Sequence, residues 1–246
     1  MSNEPRGTQP PLRITVVYNN VRCSPALATA WGFAAVVETG GHTVLFDTGG
    51  DGRVLLANLG RLSIDPGSVD AIVLSHMHGD HTGGLDDVLA CCSNVTVYVP
   101  DSTATDFCSA LRQRGARVEE VGGAQRLLAN VLSTGEMGTD NREQALILET
   151  RLGLVVMTGC AHPGIVAMAK AARECLAQEI YLVMGGFHLL RFGSAATRKT
   201  IGDLQRMGVR KVAPSHCTGD EAIAMFRTAW GDDFLPGGCG AVIEVP

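Results

Sequence analysis

The sequence predicts an α/β fold in which two stacked, mixed β-sheets carry helices on their outer faces. About ten short runs rich in β-branched residues recur along the chain, and each is closed by Gly, Asn, Asp or His. Segments with helical periodicity lie between several of these runs. The strands come first in consecutive pairs and then increasingly alternate with helices. This order fits neither an all-β barrel nor a regular βαβ ladder.

The strand predictions follow one another from near the N-terminus to the C-terminus. Each run is short enough for a single strand and ends in residues that favour turns. In chain order they are ITVVYNN, FAAVVETG, TVLFDTGG, AIVLSH, VTVYVP, ALILET, GLVVMTG, IYLVMGG, KVAPSH and GAVIEV.

The clearest helix prediction is PGIVAMAKAARECLA, residues 163–177, where apolar residues recur at helical spacing and Pro163 stands where a first turn tolerates it. In SHCTGDEA, Thr218 and Glu221 are three apart and predict a capping box for the helix that follows. The remaining helices are predicted over residues 51–60, 101–113, 194–207 and 219–229.

Length and composition limit the class of protein. A chain of 246 residues, 46% hydrophobic and 18% charged, suits one folded domain, which we expect over residues 13–246 behind a disordered tail at 1–12. The net charge is −5 without a long basic cluster, so no nucleic-acid partner is expected. No secretory signal or run of about 18 apolar residues is present, which predicts no membrane association and a cytoplasmic location. We expect most of the eight cysteines to be reduced and buried there.

The histidines share one place in the predicted fold. The chain has seven, and all but His42 lie at or just beyond the carboxyl end of a predicted strand. Open α/β folds place their sites at such strand ends. A single histidine is more often a hydrogen-bonded structural residue, but six at equivalent places indicate a functional site.

The stretch VLSHMHGDHTGGL, residues 73–85, carries half of this predicted site. His76 and His78 are two apart at the end of an extended run, so their side chains point the same way and can bind one metal ion. After a glycine, the side chains of Asp80 and His81 point in a different direction from those of His76 and His78 and can bind a second ion. The spacing indicates two adjacent metal sites.

The His-x-His-x-Asp-His pattern of this stretch resembles the signature of the metallo-β-lactamase superfamily. LFDTGG around Asp47 resembles the first motif of that superfamily. WGFAAVVE, EQALIL, TGCAHPGI, GGFHLL and PSHCTG together resemble a subfamily of hydrolases named for 7,8-dihydropterin-6-methyl-4-(β-D-ribofuranosyl)aminobenzene-5'-phosphate synthase. The resemblance runs from residue 13 to the C-terminus and implies an αββα sandwich, two mixed β-sheets with helices on the outer faces.

The resemblance also implies ligands for each metal ion. His76 and His78 would hold the first ion, and Asp80, His81 and His216 would hold the second. The family supplies the third ligand of the first ion from a loop histidine, but the matching LSTGEMGTD contains none. We expect His162 to take this place, with Glu136 as a weaker candidate.

Four further residues have expected roles beside these ligands. Cys160 stands where the family pattern has a bridging aspartate, and it could either coordinate zinc as a thiolate or pack as a small buried residue. His188 could be a ligand, a general acid or a substrate contact. Asp47 resembles the carboxylate that hydrogen-bonds a ligand imidazole, the alternative being a turn-forming Asp. Cys217 alternates away from His216 along the chain and is predicted to pack.

This donor set predicts an enzyme that uses two divalent metal ions, with zinc favoured over iron or manganese. The first hypothesis is hydrolysis of a small ester, lactone, amide or phosphoester, in which Asp80 orients the nucleophile and His188 protonates the leaving group. A serine nucleophile is disfavoured because no Gly-x-Ser-x-Gly elbow occurs.

Two alternatives stay open at this point. One is a transferase that joins a dihydropterin pyrophosphate to an aminobenzene ribosyl phosphate, as the subfamily name implies. The other is a metal-binding sensor without catalysis, suggested by the missing loop histidine. We expect a small-molecule substrate that contacts the loops 19–31, 136–143 and 188–195, with Arg142 and Arg191 as candidate anion contacts. A homodimer is a further open alternative.

Overall fold

The computed structural model describes residues 11–246. The predicted tail at 1–12 lies outside these residues except for its last two positions, and the first strand begins at Leu12. The strands are β1 Leu12–Asn19, β2 Phe33–Thr39, β3 His42–Phe46, β4 Ala71–Val73, β5 Thr96–Pro100, β6 Arg117–Val121, β7 Gly123–Leu128, β8 Val131–Gly135, β9 Leu146–Thr150, β10 Gly153–Thr158, β11 Ile180–Gly186, β12 Lys211–Ser215 and β13 Val242–Val245. The α-helices are α1 Gly52–Arg61, α2 Gly79–Thr82, α3 Leu85–Leu89, α4 Thr105–Gln113, α5 Ile165–Leu176, α6 Ser194–Arg206 and α7 Asp220–Trp230.

These strands form two mixed sheets. The seven-stranded sheet has the order β13-β1-β2-β3-β4-β5-β6 and is parallel from β3 to β6 and antiparallel elsewhere. The six-stranded sheet has the order β12-β11-β10-β9-β8-β7 and is parallel only between β10, β11 and β12. The predicted α/β class with two mixed sheets is confirmed.

Three apolar clusters define the layers of the fold. The first lies between the sheets, where Phe46 and Val73 share a core with Met157 and Leu182. The second lies between the six-stranded sheet and α5, α6 and α7. The third lies between the seven-stranded sheet and α1, α3 and α4. The layers therefore stack as helix, sheet, sheet, helix, which is the predicted αββα sandwich. Strands covered on both faces read as continuous apolar runs, so β4 and β10 were visible in the sequence.

The sequence prediction missed three consecutive strands, β6, β7 and β8. Most residues of β6 and β7 are exposed or half-buried, and these two strands lie at the edges of the two sheets. They therefore lack the apolar alternation that predicts a strand. Strand β8 is fully buried, but its sequence VLSTG ends in small and polar residues.

The helix predictions were correct in place and inexact at their starts. Helix α4 begins at Thr105 because residues 101–102 form a turn, and α5 begins at Ile165, so Pro163 precedes it. The predicted capping box is wrong. Thr218 Oγ1 donates a hydrogen bond to Ser215 O (2.6 Å), and α7 starts after Gly219 without a side-chain cap. No described helix is long and apolar enough to cross a membrane.

Candidate metal centre

The carboxyl ends of strands from both sheets meet at one edge of the sandwich, and the predicted site residues follow directly after them. Parallel neighbours end at the same edge of a sheet, which is why residues distant in sequence converge there. Asp47 follows β3, His76 follows β4, Cys160 and His162 follow β10, His188 follows β11, and His216 follows β12. His42 lies elsewhere, at the start of β3, where its Nδ1 is 3.8 Å from Asp70 Oδ2.

A first cluster joins His76, His78 and His162. His76 Nε2 lies 3.1 Å from His78 Nδ1 and 3.2 Å from His162 Nε2. Cys160 belongs to this cluster as well, because its sulfur and the ring nitrogens of His76 and His162 all lie within 4.8 Å of one another. The structure therefore brings His162 next to His76 and His78.

A second cluster joins Asp80, His81 and His216, again with Cys160. His81 Nε2 lies 3.3 Å from Cys160 Sγ and 3.6 Å from Asp80 Oδ2. His216 Nε2 lies 3.4 Å from Asp80 Oδ2. Since Cys160 takes part in both clusters, its sulfur lies where one donor could serve two ions.

Three of these imidazoles are oriented through Nδ1 by a polar neighbour. His76 Nδ1 is 2.9 Å from Ser75 Oγ, His81 Nδ1 is 2.8 Å from Asp47 Oδ2, and His216 Nδ1 is 2.7 Å from Asn20 Oδ1. Ser75 Oγ donates to Asp47, so it accepts from His76. These partners assign the proton of each ring to Nδ1 and leave the Nε2 lone pair directed into the site.

This arrangement fits a divalent metal ion. His76 Nε2 lies 3.1–3.2 Å from one ring nitrogen of each of its two neighbours, so that all three nitrogens could donate a lone pair to one cation. Among residues 11–246, the buried Nε2 of His216 has no hydrogen-bond partner, and a buried polar atom without one costs about 1–3 kcal/mol. Imidazole nitrogens with one thiol and one carboxylate form a donor set that zinc accepts.

The electrostatic environment differs from one candidate ligand to the next. Burial and the neighbouring His81 lower the pKa of His76 far below its ordinary value. Burial and His188 lower the pKa of His162 to about 4. Burial opposes ionisation of Asp80, but His216 beside it brings the pKa of that carboxyl below its usual range. Burial opposes protonation of His81, but Asp47 beside it raises the pKa of that imidazole. His76 and His162 are thus held neutral and the carboxyl of Asp80 is held charged.

Asp47 makes the hydrogen bond predicted for it. The fully buried carboxylate also accepts from the backbone N–H and the hydroxyl of Ser75, both at 2.7 Å, so it connects the residues that orient His76 and His81. Its backbone lies in the left-handed region, which is uncommon for residues other than glycine and concentrates at functional sites. Four site residues share this feature: Asp47 (φ 57°), Ala161 (φ 59°), His188 (φ 53°) and His216 (φ 51°).

His188 and Cys217 form a third group with Cys160, in which the three donor atoms lie within 4.8 Å of one another. The ring centroid of His188 is 4.4 Å from that of His162. Cys217 is buried, as predicted for a residue that packs, and it also lines the cavity. Strand alternation ends at Ser215, and the tight turn over 216–218 brings Cys217 to the site together with His216.

Glu136 does not take the role of a metal ligand. Its carboxylate accepts hydrogen bonds from Ser102 N (2.6 Å) and Arg142 Nη1 (2.8 Å), and it takes no part in the three donor groups found within residues 11–246. The same ion pair engages Arg142, whereas Arg191 lines the cavity.

The eight cysteines also depart from the expectation that most of them are buried, because only four are.

An open cavity of about 430 Å³ lies over both clusters. Trp31 forms part of its rim, with its ring centroid 4.8 Å from that of His216. The lining residues are Trp31, His78, Asp80, Asn141, Cys160, His162, His188, Leu190, Arg191 and Cys217. All three loops predicted to contact a substrate contribute to this lining.

Sequence reasoning missed four residues that support the site: Asn20, Ser75, Glu143 and Gln144. Ser75 directly precedes His76, and Asn20 ends the predicted strand ITVVYNN, so position along the chain could have indicated both. Glu143 is fully buried, and burial raises its pKa to about 7 against the lowering effect of the backbone N–H of His162. Nothing in the EQALIL motif itself indicated that Glu143 supports the site.

Comparisons with known proteins agree with this geometry. The family model of the metallo-beta-lactamase superfamily matches residues 32–168, more than half of the chain. A Methanocaldococcus jannaschii protein named 7,8-dihydropterin-6-methyl-4-(beta-D-ribofuranosyl)-aminobenzene-5'-phosphate synthase is 29% identical, over 86% of this chain and 88% of its own. The structure of a metal-dependent hydrolase of the beta-lactamase superfamily superposes with a TM-score of 0.80 at 27% identity, covering 95% of this chain and 99% of that one. A metallo-beta-lactamase fold protein from Bacillus subtilis superposes with a TM-score of 0.71 at 14% identity, over 96% of this chain and 99% of its own, and shows the fold alone.

Proposed function

We propose that this chain, which belongs to the metallo-beta-lactamase superfamily, is a metal-dependent hydrolase of a small ester, lactone, amide or phosphoester. The main support for this proposal is one observation. Two donor clusters share Cys160 and open into a single cavity, at the edge where strands of both sheets end. The neutral imidazoles of His76 and His162 and the ionised carboxyl of Asp80 are the forms in which these side chains bind metal.

Two metal ions would be held by these clusters. His76, His78 and His162 would hold one ion, and Asp80, His81 and His216 would hold the other, with Cys160 available to both. Zinc is the proposed metal because the donors include a thiol among imidazoles. Bound divalent ions would supply Lewis-acid polarisation of a carbonyl or phosphoryl oxygen and a lowered pKa for the attacking water.

The chain's own residues would position the reactants. The carboxylate of Asp80 is partly exposed in the cavity and would orient the O–H of the nucleophile. His188 is exposed on the same cavity and would donate a proton to the leaving group. Trp31 and Leu190 give the rim apolar surfaces against which a substrate can pack.

Removal and return of metal tests this proposal. Protein stripped with a chelator and reloaded with zinc, iron or manganese is assayed on p-nitrophenyl esters, lactones and phosphoesters, with metal content measured in parallel. We expect turnover to need metal, to be lost in His76→Ala, and to persist in His42→Ala, whose histidine lies outside the site. A fully loaded protein inactive on the whole panel would contradict the hydrolase and favour a metal-binding sensor.

The transferase is the second candidate, because a relative named as a synthase matches most of the chain. In that case the protein would join a dihydropterin pyrophosphate to an aminobenzene ribosyl phosphate. Metal-loaded protein is incubated with both compounds and pyrophosphate release is followed. Pyrophosphate release that requires both compounds would support the transferase. No release by protein that is active on the hydrolase panel would exclude the transferase.

A further inference from the structure

Two adjacent buried residues, Glu143 and Gln144, lie between the chain segments that carry the proposed metal ligands. They open the EQALIL motif and precede β9. Both are fully buried, and neither takes part in the donor groups described above. We call these two residues the EQ clamp.

Glu143 binds the loop after β10. Its Oε1 accepts hydrogen bonds from the backbone N–H groups of Gly159 (3.0 Å), Cys160 (3.0 Å) and Ala161 (2.9 Å), and its Oε2 accepts from that of His162 (2.9 Å). Successive N–H groups converge on one anion only when the backbone curls around it, which agrees with the left-handed φ of 59° at Ala161. The loop that carries two proposed ligands is thus wrapped around one carboxylate.

Gln144 binds the segment that leads to the other ligands. Its Nε2 donates to Leu74 O (2.9 Å) and its backbone N–H donates to Ser75 O (2.9 Å), directly before His76. Its Oε1 accepts from Ser133 Oγ (2.5 Å), which fixes the orientation of the amide. Neighbouring residues of one chain segment therefore hold the ends of β4 and β10 at the same time.

We infer that the EQ clamp presets the spacing between the two ligand-bearing segments before metal binds, and that Glu143 is a positioning residue for Cys160 and His162. The inference rests on the proposed metal centre. The protein itself would thus fix the 3.2 Å approach of His76 and His162. A clamp that acts only on stability would leave metal binding unchanged in any variant that folds.

Glu143→Gln tests the positioning role. The amide oxygen can keep the donors of Gly159, Cys160 and Ala161, but the NH₂ group then faces the N–H of His162, and two donors oppose each other. Apoprotein is titrated with cobalt(II) while ligand-field and thiolate charge-transfer absorption are recorded. We expect cobalt affinity to fall by about ten- to a hundredfold, the range typical of lost outer-shell partners, with an altered spectrum.

Glu136→Gln is the matched control. Glu136 also accepts a backbone N–H and lies seven positions earlier, but it bonds Ser102 and Arg142 away from the ligand loop. We expect this variant to bind cobalt as the wild type does. A folded Glu143→Gln protein with wild-type cobalt affinity and spectrum would overturn the inference and leave the proposed function standing. A wild-type protein that binds no metal would instead overturn the proposed function.

Hydrogen exchange on the wild type keeps the inference testable even if Glu143→Gln fails to fold. In metal-free protein, we expect the amides of 159–162 to exchange far more slowly than those of an open loop, since the carboxylate already engages all four. Exchange at unprotected rates until metal is added would overturn the clamp, because the metal would then be what orders the loop.

Discussion

At the scale of single residues, the site depends on which ring nitrogen carries the proton. Ser75, Asp47 and Asn20 each engage one Nδ1, and so each turns one Nε2 towards the metal positions. The carboxylate of Asp47 carries the most contacts of the three, because it bonds both His81 and Ser75. Loss of one such partner changes metal affinity without removing a ligand.

Asp47→Asn is expected to weaken metal binding by about 10- to 100-fold while the protein stays folded. Asparagine tolerates the left-handed backbone, but its NH₂ group would oppose either the backbone N–H of Ser75, or both the N–H of His81 and the hydroxyl of Ser75. Zinc affinity is measured by competition with a chromophoric chelator. Asp70→Asn is the control, since Asp70 pairs with His42 outside the site. Equal affinities in the two variants would contradict the role of Asp47.

Cys160→Ser tests the shared donor. The hydroxyl of serine is a harder and weaker ligand than a thiolate, so cobalt(II) should lose its thiolate charge-transfer band and zinc affinity should fall. Cys175→Ser, at an exposed position on α5, should leave both unchanged. If the charge-transfer band survives in Cys160→Ser, the sulfur ligand is a different cysteine, and Cys217 is then the nearest candidate.

At the scale of elements, the sequence could predict where strands end better than how the chain continues beyond them. Buried strands are continuous apolar runs, so the strand ends that carry histidines were visible. The edge strands β6 and β7 are polar and were not. The cavity contact of Cys217 was not predicted because alternation was extended past Ser215 into a tight turn, and the capping box failed because Thr218 bonds back to Ser215. The edge positions of β6 and β7 depend on strand pairing that spacing along the chain does not encode, whereas the turn over 216–218 is local.

Gly159 shows how closely two of these elements approach each other. A Cβ at this position would lie 2.1 Å from Ser75 Oγ and 2.8 Å from Asp47 Oδ2. Gly159→Ala should therefore push apart the ends of β4 and β10, destabilise the fold by about 1–3 kcal/mol and weaken metal binding. Gly60→Ala is the control: a Cβ there meets nothing within 4 Å on helix α1 and should stabilise by about 0.5–1 kcal/mol. Urea unfolding measures both, and equal stabilities would contradict the close approach.

At the scale of the whole molecule, the proposed metal positions lie where the two sheets meet. His76, His78, Asp80 and His81 follow a strand of the seven-stranded sheet, whereas Cys160, His162 and His216 follow strands of the six-stranded sheet. The apolar core between the sheets also joins both of them. Metal bound at this edge would therefore add a second link between the halves of the sandwich, and its binding energy would appear as stability of the complete fold.

Metal should consequently stabilise the fold. A ligand that binds only the folded state contributes about 2.7 kcal/mol at a hundred times its Kd, which corresponds to a rise in Tm of roughly 5–11 °C for a chain of this size. Thermal unfolding is followed across a zinc series, with chelator at one end. His42→Ala should keep the full shift, whereas His216→Ala should lose the part contributed by the ion that Asp80, His81 and His216 would hold, because His216 follows β12 of the six-stranded sheet and lies beside Asp80 from the other. If His216→Ala kept the whole shift, the stabilising ion would be the one that His76, His78 and His162 would hold, and no metal link through His216 would join the two sheets.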